Sequence, residues 1–136
     1  MIPQRVVRAV NSFPEKFGEA WVPCMVAMTQ GDLSVVSWSH VVTAYYTGIR
    51  AAIAYSVCCL LLKKVTAVRS AILIGFFTFI SDLVTHPTHF GPVWSEALVT
   101  GCGATAIALL VDNFRSRMTE LRSKKNETQR EGSESD

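Results

Sequence analysis

From His40 to Asp112 the chain carries only seven formal charges: Arg50, Lys63, Lys64, Arg69, Asp82, Glu96 and Asp112. Three apolar stretches lie between them, at 41–62, 67–84 and 93–111. At 1.5 Å per helical residue, each is long enough, or nearly so, to cross about 30 Å of hydrocarbon. Directly after this run the composition inverts, and residues 115–136 hold 11 of the molecule's 24 charges. The pattern predicts an all-α integral membrane protein. It has an interfacial amphipathic arm (1–40), a three-helix transmembrane domain (41–112) and a polar, partly disordered tail (113–136).

A soluble helical bundle requires polar faces at helical spacing. The runs 70–81 (SAILIGFFTFIS) and 97–111 (ALVTGCGATAIALLV) offer almost none. A helix apolar on all sides is buried in a large protein or in lipid, and 136 residues do not make a large protein. The net charge of +2 gives no nucleic-acid footprint, and no basic stripe with interleaved aromatics is present. Cys58, Cys59 and Cys102 fall inside the expected spans and Cys24 stands alone, which is neither a disulfide framework nor zinc-ligand spacing. His86 and His89 are spaced H-x-x-H, His40 could lie on the same outer side, and Glu96 would have to complete a zinc set; turn histidines at the interface are the simpler reading. No phosphate loop, nucleophile elbow or His-Glu-x-x-His motif occurs. The expectation is a protein without enzymatic activity, cofactor or metal.

In the arm, Val6, Val7, Val10, Phe13 and Phe17 fall near helical spacing opposite Arg5, Arg8 and Lys16. This suits a short interfacial helix broken near Pro14. The patch 21–28 is too short to span. Trp38, Tyr45 and Tyr46 mark a headgroup boundary before the first span, and Trp94 marks another before the third. Lys63, Lys64 and Arg69 between the first two spans, with Arg115 and Arg117 after the third, place those segments in the cytoplasm. The 85–95 connection has no Lys or Arg and belongs outside. Three spans then give an N-out, C-in topology.

Two features inside the spans invite a role. Arg50 and Asp82 lie at matching depths, roughly 18–20 Å from the basic turn, so an intramembrane ion pair is expected, within one chain or between neighbours. It either fixes packing or lines a water-filled path. Small residues recur every four positions, Ala44, Gly48, Ala52 and Ser56 in the first span and Ala97, Gly101 and Thr105 in the third. Such stripes let helix backbones approach closely in lipid, for packing within the chain, for oligomerisation, or both.

Three spans, a cytoplasmic charged tail and about this length resemble the three-span class of phage holins. The resemblance is one of layout and covers the whole chain; no residue motif carries it. It implies a protein of the bacterial inner membrane that oligomerises into lesions and releases a muralytic enzyme during host lysis. The partners it implies are the lipid bilayer, further copies of the chain, and an antiholin or other lysis-system protein. The long arm and the mixed-charge tail depart from that layout. An accessory or assembly subunit of a larger membrane complex is the alternative, with a small ion or proton pathway through Arg50, Asp82 and Glu96 as a third reading.

Overall fold

The computed structural model describes residues 4–29, 38–62, 65–85 and 92–133. Four helices follow in order: α1 (Gln4–Thr29), α2 (Trp38–Leu61), α3 (Ala67–Thr85) and α4 (Val93–Ser133). No strand occurs among the described residues. The helices α2, α3 and α4 are long and apolar enough to cross a membrane, and their apolar parts coincide with the three stretches read from the sequence.

Local chemistry sets the ends. At the start of α3 the Thr66 hydroxyl accepts from the Arg69 amide at 3.4 Å, and the Thr66 carbonyl accepts from the Ser70 amide at 2.8 Å, an N-cap arrangement. Pro92 immediately precedes α4, where a missing amide proton costs nothing. Its carbonyl accepts from the Ser95 amide at 3.0 Å and the Ser95 hydroxyl at 2.8 Å.

Neighbouring helices run antiparallel around a closed ring, α1 on α2 and α4, α3 on α2 and α4. The interior is built from small residues: Ala20, Cys24, Ala27, Ala51, Ala52, Ala71, Ala104 and Ala108, with Tyr55 and Ile74 as the larger members. The outside carries the large ones. On α3 alone Val68, Ile72, Phe76, Ile80 and Val84 form an exposed stripe at four-residue spacing. In water such a surface is an aggregation hazard. In lipid it is the expected exterior, because tails solvate large apolar side chains while small ones permit close backbone contact.

Three expectations change. The helix does not break at Pro14; α1 runs through both Pro14 and Pro23. An interior proline costs about 3 kcal/mol; at Pro23 the packing of Ala20, Pro23, Cys24 and Ala27 in the bundle core offsets it, while Pro14 is exposed. The arm is therefore a fourth helix of the bundle. The tail is likewise not loose chain: α4 continues to Ser133, 41 residues or about 60 Å. Its Glu, Lys, Arg, Gln and Leu content favours helix without tertiary contact, and side chains 111–126 are all exposed.

The third difference concerns the ends of the bundle. The sequence placed the N-terminus and the tail at opposite ends. Met25 instead lies against Gly48, Glu19 lies near Tyr55, and Arg115 lies 3.6 Å from Glu19 and 3.9 Å from Glu15. Lower residue numbers in α1 thus move toward the tail, and both start at the same end. We call this the tail end, and the end holding Trp38, Thr85 and Val93 the far end.

Candidate functional site

The feature that stands out in so apolar a chain is a line of polar groups through the middle of the bundle. It begins at the tail end, where Lys16 and Glu19 on α1 pair at 2.7 Å and Arg115 approaches from α4. Tyr55 on α2 donates to Glu19 Oε2 at 3.4 Å, and its oxygen meets the Ser70 hydroxyl of α3 at 2.5 Å. Either oxygen can be the donor in the Tyr55–Ser70 contact. A cavity of about 190 Å³ opens beside this cluster, lined by Lys16, Glu19, Ser70, Asp112 and Arg115 among others. It has room for a handful of waters.

One layer deeper, Cys24 Sγ lies 2.7 Å from Thr78 Oγ1. Thr78 gives its own proton to the Ile74 carbonyl at 2.7 Å, so the thiol must be the donor. Toward the far end Ser81 of α3 donates to the Thr47 carbonyl of α2 at 3.0 Å, beside buried Asp82. Thr47, Ser56 and Thr85 each bond the carbonyl four residues back. Every one of these hydroxyls is satisfied locally, which is how a hydroxyl enters a dry interior without a large desolvation cost.

Arg50 sits on the outside of α2 and reaches Thr85 Oγ1 with Nη1 at 3.2 Å. Side chains on a helix lean toward its N-terminus, which for α2 is the far end, so the guanidinium extends toward that boundary as a snorkelling arginine does. Asp82 lies one turn before Thr85 on the same helix, buried at 3% exposure. Arg50 thus contacts Thr85, three residues beyond its expected partner Asp82.

Of the small-residue stripes, Ala44, Gly48, Ala52 and Ser56 are all buried, as are Ala97 and Gly101, while Thr105 is half-buried. Gly48 faces α1, where an added Cβ would lie 2.9 Å from Met25 Sδ. Gly101 faces Gly75 of α3, and a Cβ there would lie 2.9 Å from the Gly75 carbonyl oxygen and 2.8 Å from Phe79 Cβ. Both stripes are spent on packing within the chain. Of the topology residues, Arg69, Arg115 and Arg117 are exposed. Lys63, Lys64, His86, His89 and the side chain of His40 lie outside the described residues.

Sequence reasoning missed Gly75, Tyr55, Ser70, Cys24, Thr78 and the Lys16–Glu19–Arg115 cluster. A signal existed for part of it: Thr78, Ser81, Asp82 and Thr85 share one face of α3 by their spacing. No protein-family pattern, characterised protein or solved structure matches the chain.

Proposed function

We propose that this chain is a holin-like membrane protein: copies of it assemble in the bacterial inner membrane and open the bilayer, without enzymatic chemistry. The observation that carries the reading is the contrast between the shell and the interior. Large apolar side chains face outward, so the closed bundle suits lipid. Thr47, Ser56, Thr78, Ser81 and Asp82 face inward, so parting the helices would present a surface that water can wet. The hydroxyls can exchange their carbonyl partners for water at little cost, since a protein–protein hydrogen bond is worth only about 0.5–1.5 kcal/mol net. Lys63, Lys64, Arg69, Arg115 and Arg117 assign the tail end to the cytoplasm. The start of α1 then lies on that side too, because Glu19 and Glu15 meet Arg115 there.

The test is induction in bacteria with a co-expressed cytoplasmic muralytic enzyme, beside dye release from vesicles containing the purified protein. Abrupt loss of culture density and dye release are the expected results. A chain that accumulates in the membrane at high level and never permeabilises it refutes the reading. An accessory subunit of a larger complex is the second reading. It is favoured by the burial of both small-residue stripes inside the chain, which leaves mainly large side chains to meet another copy.

A further inference from the structure

At the tail end α1 and α4 project together and enclose an open groove of about 700 Å³. Pro14, Gly18 and Val22 line its α1 wall; Phe114, Met118 and Arg122 line its α4 wall. Val111, Phe114, Met118 and Leu121 repeat at three-four-three spacing, the seam by which one helix receives another. Phe114 is 67% exposed and Leu121 62%. About 30 Å of helix from Val93 is used up near Asp112, so of the seam only Val111 falls within hydrocarbon, and Leu121 lies roughly 14 Å beyond.

We propose that the groove receives an acidic amphipathic helix of a partner protein. The acids of the α1 wall are already engaged, Glu19 with Lys16 and Arg115, Glu15 with Arg115. Arg117 and Arg122 flank the seam, exposed and without an ion pair among the described residues. A helix with apolar residues at heptad spacing and carboxylates beside them matches both features. A second copy does not, because parallel pairing along this seam sets Arg117 of one copy against Arg122 of the other, and like charges at these flanking positions oppose association.

The probe is a designed peptide of about three heptads, Leu at the seam positions and Glu at the flanks, with a Lys-flanked version as control. It is titrated against the full chain in neutral phospholipid nanodiscs by fluorescence anisotropy. The Glu peptide should bind saturably and at least about tenfold tighter than the Lys peptide. Gly18→Trp should weaken it about tenfold or more, since an added Cβ there meets nothing within 4 Å and the indole fills the groove. Arg117→Glu with Arg122→Glu should do the same, while Arg69→Glu leaves it unchanged. Absent binding, or binding indifferent to Gly18→Trp, overturns the proposal. So does a dye at Leu121→Cys that enters lipid in anionic nanodiscs and excludes the peptide, which would assign the seam to the membrane surface. The readout is binding alone, so failure here leaves the permeabilisation test untouched.

Discussion

A graded series of Gly→Ala changes measures how close the helices stand. At Gly75 the new Cβ would overlap the Thr105 hydroxyl, its nearest neighbour, and lie 2.5 Å from the Gly101 carbonyl oxygen, against about 3.3 Å for an ordinary carbon–oxygen contact. That oxygen is backbone, so relief requires α3 and α4 to part by about 0.8 Å or Thr105 and its turn to shift as well. Overpacking of this kind costs about 1–3 kcal/mol, opposed by up to about 1 kcal/mol of gained helix propensity. Gly75→Ala should therefore lose about 1–2 kcal/mol net. At Gly48 the nearest atom is the Met25 sulfur at 2.9 Å, the end of a flexible side chain that can swing aside, so Gly48→Ala should be close to neutral. At Gly18 the space is open, and Gly18→Ala should gain up to about 1 kcal/mol.

The assay is reversible unfolding in mixed micelles, titrating a denaturing detergent and following helicity by circular dichroism and, in a Trp21→Phe, Trp38→Phe background, Trp94 by fluorescence. Trp94 packs on Phe79 at 6.2 Å between ring centroids, so its signal reports separation of α3 from α4. Equal responses at Gly75 and Gly18 would refute the argument that α3 and α4 are in backbone contact. The same geometry changes what Gly101→Leu can report. A side chain of that size at 2.8 Å from Phe79 Cβ separates helices within the chain before it affects any contact between chains. Lysis defects in that variant must be read beside its stability.

Three further outcomes follow. In a cysteine-free background, Asn11→Cys and Ser123→Cys should be protected together from a membrane-impermeant thiol reagent while Thr88→Cys reacts; opposite behaviour of positions 11 and 123 refutes the shared tail end. If Arg50 and Asp82 pair across the 82–85 turn, removing either should lower the amount recovered in the membrane fraction, since a charge at span depth costs about 2.5–3.5 kcal/mol, and Arg50→Asp with Asp82→Arg should restore part of it. Equal damage from all three would limit Arg50 to its Thr85 bond. Tyr55→Phe should cost about 0.5–1.5 kcal/mol in the same micelle titration by removing the hydroxyl between Glu19 and Ser70, and no change would remove Tyr55 from the polar line.

The three apolar helices were legible because hydrocarbon imposes a one-dimensional rule: length and lack of charge suffice, and 67–84 against Ala67–Thr85 shows how little else is needed. The same rule is silent on where α1 packs. Arg5, Arg8, Glu15, Lys16 and Glu19 disqualify it as a span by count, yet the acids sit where Arg115 emerges from α4, and after Glu19 the helix carries no charge at all. Counting charges along one helix cannot see compensation supplied by another. Proline misled for a related reason, since its cost is local and the burial of Pro23 is not.

What remained hidden is partner choice. A small residue every fourth position states that a helix has a close-packing face, and Gly48 and Gly101 do lie on such faces, but the pattern is identical for a neighbour in the same chain and for another copy. The missing half of the evidence was Gly75. It ends a run of small residues at four-residue spacing on α3, Ala67, Ala71 and Gly75, which the sequence reading passed over among the bulky neighbours Ile72, Ile74, Phe76 and Phe77. Across the interface its carbonyl faces Gly101, and that pairing is what commits the third-span stripe to the chain itself. Any assembly of copies must therefore use large outward side chains such as Ile72 and Phe76, or must first break the Gly75–Gly101 contact. The second route would register as lost stability, so the cost of Gly75→Ala measures how firmly this contact is held.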